Sequence, residues 1–329
     1  MAAFDPFDVV VVTYNHAETL PASLAAVAAL EPPAAAVVVV DNASSDGSAE
    51  VVRAWLDRLP LRLLAEPTNT GFAAALNRAL RVTRSPWVLS LNPDCAPRPD
   101  FVHRLLAALS TVDEERTGAL TGRLLRGRGP SLEPEPVLDA AGMAVTPTGR
   151  HLDRGAGEPA EGRFLAPEWV FGGTAAATLF RRSALADVAY PDGQVLAESF
   201  FAYREDAELA WRLQWRGWSC RYVPEAVAVH RRGLRPEEGR AGKRLVNLHS
   251  VRNRFLLRAH CADNGWHLAC FPWWFLRDIL VVGACLTVET TSLAGLAELW
   301  RRRRQAASRR GWILGRATVP SAAVRRWFR

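Results

Sequence analysis

Four short stretches of this chain gather acids, amides and a histidine at spacings that can bind a ligand or move a proton. The first pairs Thr13-Tyr14-Asn15 with the run from Asp41 to Ser48, Asp-Asn-Ala-Ser-Ser-Asp-Gly-Ser. A carboxylate at Asp41 can accept the imide N–H of uracil or thymine, a donor that neither adenine nor cytosine presents. Asp46-Gly47-Ser48 is at the same time an ordinary turn leading into a helix N-cap. The second is Leu91-Asn92-Pro93-Asp94, where a carboxylate can hold the divalent cation that neutralises a departing pyrophosphate. A plain Asn-Pro-Asp turn accounts for the same residues. The third runs from Phe200 to Arg212 and places Glu205, Asp206 and Glu208 at one helix start. The macrodipole favours acids there, and Glu208 with Arg212 makes an i,i+4 pair. The aromatic block ahead of them disfavours the charged form of a neighbouring carboxylate, which suits a base. The fourth is His230, after the apolar run Ala226 to Val229. A lone histidine is more often structural, but a strand end permits metal binding. Neither GxGxxG nor a Walker sequence is present, so dinucleotide and P-loop chemistry are not indicated.

These residues need a frame that brings them to one edge. Val9 to Val12 and Val37 to Val40 are β-branched blocks too continuous for half-exposed strands, and read as strands buried on both faces of a parallel sheet. Helices are expected over about 20–30, 48–59 and 72–82, with strands at Leu61 to Ala65 and Trp87 to Leu91. That alternation predicts right-handed βαβ units in an open, doubly wound α/β sheet, whose carboxyl edge is where ligands bind. From Asp113 to about Glu168 the pattern gives way to Arg, Gly, Pro and Glu, and predicts a loop-rich insertion with short strands. Order resumes at Trp169 to Arg182, followed by helices over about 206–217 and 243–260.

The chain has 329 residues, nearly half of them apolar, enough for a sizeable core. Its net charge of +7 is local: ten arginines and no acids lie between Arg301 and Arg329, leaving −3 on the first 300 residues. Such a tail can meet anionic lipid or nucleic acid, or stand solvated. Leu268 to Val288 is apolar and Trp-rich but carries Arg277 and Asp278 at its centre and Pro272 near its start. Each central charge costs about 2.5–3.5 kcal/mol in a bilayer, so a helix or hairpin lying in the interface is expected rather than a span. Its anchors would be Trp266, Trp273, Trp274 and Trp300. Five cysteines without a CxxC pair suit reduced thiols in the cytosol, and the acidic start speaks against a cleaved signal peptide.

The ordered set Val-Thr-Tyr-Asn, Asp-Asn-x-Ser-x-Asp-Gly-Ser, Asn69-Thr70-Gly71-Phe72, Asn-Pro-Asp, Gly172-Gly173 before a strand, Glu-Asp-x-Glu-Leu-x-x-Arg and a later His resembles glycosyltransferase family 2. Within it, the chain looks most like the rhamnosyltransferase-type members that build bacterial cell-envelope polysaccharides. The resemblance covers about residues 8 to 260. It implies a GT-A fold: a mostly parallel α/β sheet with a nucleotide-sugar-binding half over 1–112 and an acceptor-binding, catalytic half over 113–260. A helical, Trp-rich and Arg-rich interfacial extension would occupy 261–329.

Position by position, the resemblance implies that Asp41 contacts the base and that Thr13, Tyr14 and Asn15 surround the nucleoside. Asn69, Gly71 and Asn92 would border the nucleotide pocket. Asp94 matches the last acid of the metal-binding DxD, whose first acid is here Asn92, and His230 would complete the shell around Mg²⁺ or Mn²⁺. Asp206 matches the catalytic base, with Glu205 beside it, and Gly172, Gly173 and Trp169 fall on the acceptor side.

The implied reaction is one inverting displacement from a nucleotide diphosphate sugar, with dTDP-rhamnose the favoured donor. The acceptor would be a cell-envelope glycan or a polyprenyl-diphosphate-linked saccharide. A UDP-hexose donor is the alternative, since Asp41 would serve uracil and thymine alike. A non-catalytic nucleotide-sugar or lipid binder is a third reading, opposed by the joint presence of Asp94, Asp206 and His230. Nucleic acid is not an expected partner. The expected place is the cytoplasm, peripheral on the inner face of the plasma membrane.

Overall fold

The computed structural model describes residues 5–111, 115–232 and 244–328. Its first third alternates strand and helix: β1 (Phe7–Thr13), α1 (Leu20–Ala28), β2 (Ala36–Asp41), α2 (Ser48–Arg53), β3 (Leu61–Ala65), α3 (Phe72–Val82) and β4 (Trp87–Leu91). All four strands run parallel, in the spatial order β4-β1-β2-β3. The valine blocks form strands because both faces are covered. Val9 and Val11 pack with Leu20, Leu24 and Val27 of α1, while Val10 and Val12 pack with Ala75, Leu76 and Ala79 of α3. Each such side chain contributes about 1.5–3 kcal/mol on leaving water. The helix expected over 48–59 stops at Arg53 and gives way to turns before β3.

The sheet then continues instead of dissolving. After β5 (Cys95–Pro97) and α4 (Phe101–Ala107) come β6 (Thr117–Arg128), β7 (Glu133–Ala140), β8 (Met143–Val145), β9 (His151–Asp153), β10 (Glu168–Val170) and β11 (Ala177–Arg181). Next follow α5 (Arg182–Val188), α6 (Glu205–Trp215) and β12 (Ser219–His230). β11 pairs antiparallel with β4 and with β6, and β12 pairs parallel with β6, so one ten-stranded sheet runs through both parts of the chain.

The loop-rich insertion expected from Asp113 is therefore corrected: β6 is a long interior strand. Its glycines look like turn punctuation but are sites of close approach. A Cβ at Gly122 would lie 2.3 Å from the Ala226 carbonyl oxygen, and one at Gly118 2.9 Å from Trp218.

The C-terminal part is helical: α7 (Arg244–Cys261), α8 (Asn264–Ala269), α9 (Phe271–Thr287), α10 (Leu293–Gly315) and α11 (Ser321–Arg325). Pro272 does not interrupt α9; it sits in the first turn, where its missing N–H costs nothing. α7, α8, α10 and α11 close a third core around Trp211, Trp266 and Phe328. Trp266 is thus buried in that core, not an interfacial anchor, and Trp274 is partly covered; Trp273 and Trp300 are exposed.

Part of the arginine tail also folds back. Arg309 reaches Gln194, Arg310 the Ala262 carbonyl, and Arg316 the Asp187 carboxylate. Among the described residues no single helix is long and apolar enough to cross a membrane. Phe271–Thr287 and Thr290–Gly315 pass that test only together, across a bend of 110°.

Candidate active site

The parallel register sets Thr13 beside Asp41, and the loops beyond them lock together. The Asn42 N–H donates to the Thr13 carbonyl at 2.9 Å. Asn15 turns the chain at φ 58°, taking the Ser45 N–H on its side-chain oxygen at 2.8 Å while its own N–H donates to Ser44 Oγ at 3.0 Å. The Asn42 amide donates to Asn69 Oδ1 at 2.9 Å and accepts the Thr70 N–H at 2.9 Å. Gly71, at φ 85°, donates to Asn69 Oδ1 and lies so close to Phe201 that a Cβ would come within 2.6 Å of the Phe201 carbonyl oxygen. After these pairings Asp41 Oδ1, Thr13 Oγ1 and His16 Nδ1 still lack a partner among the described residues. Tyr14 stands exposed at the rim. Asp46 instead binds Ser48 and the Ala17 N–H, which is the turn-and-cap role open to it in the sequence.

A second cluster forms where β12 ends. Its pairing with β5 places His230 opposite Cys95 and so beside Asp94. His230 Nε2 lies 3.3 Å from Asp94 Oδ1 and 3.2 Å from the Asn92 amide nitrogen; Nδ1 lies 2.8 Å from Asp139. Burial works against a charge on the ring, yet Asp94 first, and then Asp139, raises its pKa to about 10. Asp139 is steadied in turn by Arg232 at 3.1 Å.

Asp94 Oδ1 is buried without a hydrogen bond. Were a cation to displace the ring proton that now faces Asp94, the Asp94 carboxylate and His230 Nε2, with the far nitrogen fixed by Asp139, would be a donor set that fits Mg²⁺ or Mn²⁺ with substrate oxygens filling the remaining positions. Among the described residues no three His, Cys, Asp or Glu side chains form a complete cage.

The third cluster is at the start of α6, where two carboxylates on one helix meet opposite fates. Glu208 is wholly buried against Arg212 at 2.8 Å, His260 at 3.3 Å and the Tyr190 hydroxyl. Burial alone would raise its pKa, but Arg212 and His260 bring it to about 2. Among the described residues no cation pairs with Asp206. It is held by the N–H groups of Ala207 at 2.8 Å and Ala175 at 3.4 Å. Burial, then the negative charge of Asp153, raises it to about 6. Glu205 is pushed up further by burial and by Asp206, and its Oε2 lacks a partner. The two acids titrate as a pair and share one negative charge near neutral pH.

Strained backbone delivers these acids: Phe201, Tyr203 and Arg204 all have positive φ, from 65° to 74°. Each such residue costs on the order of 1–3 kcal/mol unless its surroundings enforce it. Asn253 of α7 does so, donating to the carbonyls of Phe200, Ala202 and Tyr203 at 2.8–2.9 Å. Arg252 adds a bond to Phe200 at 2.7 Å, and His249 stacks on Phe201.

Gly172 and Gly173 lie buried, because a Cβ on the first would strike Ala210 at 2.4 Å and one on the second Thr178 at 2.3 Å. Their close packing sets the chain so that Ala175 can reach Asp206. Trp169 is half-exposed on β10, at one end of the sheet, with Arg221 stacked on it at 5.0 Å. Reading from sequence missed Asp139, Asp153, Arg232 and Asn253. The available signal for Asp139 was a lone acid within the apolar run Val137-Leu138-Asp139-Ala140.

Comparisons with known proteins bear on the family and the fold. The model of glycosyl transferase family 2 matches residues 8–188. The chain is 30% identical over 308 residues to the N-acetylglucosaminyl-diphospho-decaprenol L-rhamnosyltransferase of Mycobacterium tuberculosis, covering 87% of this chain and 94% of that protein. It is 24% identical to the poly-beta-1,6-N-acetyl-D-glucosamine synthase of Staphylococcus epidermidis, over 65% of this chain and 47% of that one. In fold it is similar to residues 1–349 of S. aureus TarS with UDP-GlcNAc, at TM-score 0.55, 17% identity, and 94% and 90% coverage of the two chains. It is also similar to the Pyrobaculum calidifontis mannosyltransferase PcManGT with GDP-Man and Mn²⁺, at TM-score 0.54, 18% identity, and 96% and 86% coverage. Both neighbours share the GT-A architecture of this sheet, α-helices flanking mostly parallel strands. Matched by the family model over more than half its length and aligned with a rhamnosyltransferase over most of it, this chain belongs to glycosyltransferase family 2 as a rhamnosyltransferase-like member, and is a glycosyltransferase.

Proposed function

We propose that this glycosyltransferase moves rhamnose from dTDP-rhamnose to a saccharide carried on a polyprenyl diphosphate, by one inverting displacement at the inner surface of a membrane. The observation that carries the mechanism is Asp206: a half-buried acid without a cation, aimed by two backbone N–H groups and raised to about 6. A base of that pKa is largely ionised at neutral pH yet strong enough to take a hydroxyl proton as the bond forms. Glu205, held neutral beside it, leaves the single charge on Asp206. Asp206 receives the acceptor's proton while the hydroxyl oxygen attacks the anomeric carbon from the face opposite the nucleotide.

At the other end, Asp41 Oδ1 takes the imide N–H of the base, and Thr13, Tyr14 and Asn15 enclose the nucleoside. Asn69, Gly71 and Asn92 border the diphosphate. Asp94 and His230 would hold Mg²⁺ or Mn²⁺, which when bound screens the charge of the departing diphosphate. Gly172 and Gly173 shape the floor of the acceptor side, with Trp169 offering a ring at its edge. The choice of rhamnose and of a lipid-linked acceptor rests on the activity for which the mycobacterial relative is named. The exposed apolar face of α9 (Phe271, Trp273, Leu276, Ile279 and Leu280 among others) supports work at a membrane surface.

A panel of nucleotide sugars, read by protection against thermal unfolding and by transfer to a polyprenyl-diphosphate-linked N-acetylglucosamine, tests the proposal. We expect dTDP-rhamnose to protect and to be transferred. Transfer only from a UDP-hexose overturns the donor, and silence across the panel overturns the catalytic reading.

A further inference from the structure

The faces of α9 explain why charges sit in the middle of so apolar a helix. Leu276, Ile279, Leu280 and Leu286 are exposed, whereas Trp274, Arg277, Asp278, Val281 and Cys285 turn inward at helical spacing toward α7. There Arg258 and Asp278 pair at 2.5 Å. Arg254 lies one turn before Arg258, only 9% exposed, and its Nε and one terminal nitrogen find no partner among the described residues. Arg258 likewise keeps Nε and a terminal nitrogen unpartnered, and Arg277 its Nε.

The turn from Thr146 to Arg150 comes against the same spot: a Cβ on Gly149 would lie 2.6 Å from Arg258 Cδ. Burial, and then the positive charges of Arg277, Arg150 and Arg258, lower the pKa of Arg254 to about 10, with Asp278 the acid that opposes them. Arg254 thus feels three other guanidinium groups and a single carboxylate, Asp278, which is already paired with Arg258. A buried guanidinium short of partners, as in Arg254, is costly, and an anion arriving beside it would offset that cost.

That anion would not be far from the acids of α6. Arg150 is followed by His151, which contacts Arg204 at 3.2 Å, and Arg204 precedes Glu205 and Asp206.

We propose that Arg254, Arg258 and Arg277, with Arg150 opposite, form the site that grips the diphosphate of a lipid-linked acceptor, beneath the apolar face of α9 and joined to the start of α6 through His151 and Arg204. The inference deepens the acceptor reading above and rests on it. Guanidinium forks suit the paired oxygens of a diphosphate better than a single point charge would. With α9 on the bilayer, the lipid stays in the membrane, its diphosphate enters the arginine cluster, and the sugar beyond it reaches the acids.

The test is co-sedimentation of the full chain with phosphatidylcholine vesicles, with excess thymidine diphosphate filling the nucleotide site. The vesicles carry nothing, a few per cent of a polyprenyl diphosphate, or phosphatidylglycerol at matched charge; inorganic pyrophosphate serves as soluble competitor. For the natural chain we expect the polyprenyl diphosphate to raise binding well above the phosphatidylglycerol level, and pyrophosphate to reverse that gain. In Arg254→Gln the affinity for the diphosphate vesicles should fall about tenfold, with binding to phosphatidylglycerol vesicles retained. Without any lipid, Arg254→Gln should unfold at the same or a higher temperature, because it removes a buried charge that had no partner.

Equal binding of the diphosphate vesicles by variant and natural chain overturns the site. So does an equal response to phosphatidylglycerol, which would make this a general headgroup surface, and so does a loss of thermal stability in the lipid-free variant. Because binding is read rather than transfer, a wrong donor or base assignment leaves these outcomes unchanged.

Discussion

At the carboxyl ends of β1 and β2, the loops settle most of their hydrogen bonds with one another: the Asn15 N–H with Ser44 and its side chain with the Ser45 N–H, the His16 N–H with Ser48, and the Asn42 amide with Asn69 and the Thr70 N–H. At the start of α6 the acids settle very little among themselves. They hang on left-handed backbone at Phe201, Tyr203 and Arg204, enforced by Asn253 from α7, and they stay short of cations. In the proposed function the first region is a preformed receptor, in which the buried Asp41 Oδ1 would take one donor. The second stores strain and unfavourable charge, which is how sites that move protons are commonly built.

The largest effect expected from this contrast is on turnover. Asp206→Asn should lower kcat about 10²–10⁴-fold while donor affinity, measured by calorimetry, stays within about twofold. Glu208→Gln, two residues on, should instead unfold the protein more readily, by about 3–5 kcal/mol, since it leaves Arg212 buried and uncompensated. If the two variants exchanged phenotypes, the division of labour along α6 would be wrong.

Next comes the receptor itself. Asp41→Asn would keep the shape but present an amide to the base on an oxygen that now carries no charge. We expect donor affinity to fall about 10–100-fold, the value of a charge-assisted hydrogen bond, with kcat at saturating donor little changed. A kcat loss as large as that of Asp206→Asn would place Asp41 in the chemistry and erase the distinction between the regions.

The two regions also differ in how far the sequence reveals them. Val9 to Val12 and Val37 to Val40 announce buried parallel strands because helices cover both faces, and the strand ends then locate Thr13 and Asp41. Nothing equally local marks β6. Its packing against Ala226 and Trp218 demands Gly118 and Gly122, residues that in isolation signal a turn. Asp139 and Asp153 lie in the stretch so misread, and each acquires meaning only through a distant partner, His230 for the one and Asp206 for the other. Asn253 is a single amide inside an amphipathic helix, and its three carbonyl partners lie about fifty positions earlier. Trp266 misled in the opposite sense: tryptophan suits an interface and a core equally, and only α8 packing against Trp211 decides for the core.

If Asn253 enforces the strained loop, Asn253→Ala frees three carbonyls and lets the acids drift. The expected result is a kcat about tenfold lower, a KM for donor nearly unchanged, and a stability loss of about 1–3 kcal/mol from the unpaired groups. Loss of stability with full kcat in the folded fraction would make Asn253 a packing residue only.

The smallest effect, and the most specific, concerns the pKa of Asp206. If Asp206 is the base, as proposed, it must be ionised, and kcat/KM should rise with pH through a midpoint near 6 and then level off. Asp153 contributes to that midpoint by repulsion, while itself held by Arg232 at 2.6 Å. Asp153→Asn removes the repulsion and frees Arg232, and both changes favour the ionised form, so the midpoint should move down, by less than about one pH unit at this degree of exposure. Stability carries the matching sign. An acid whose folded pKa is raised stabilises the fold below its unfolded value near 3.9, and that contribution is lost as pH rises through 6. Melting temperatures of the natural chain and of Asp206→Asn, compared between pH 4 and 7, should therefore diverge in favour of the variant as pH rises. A midpoint that Asp153→Asn leaves in place, or moves upward, would mean that the charge felt by the base comes from elsewhere in the corner.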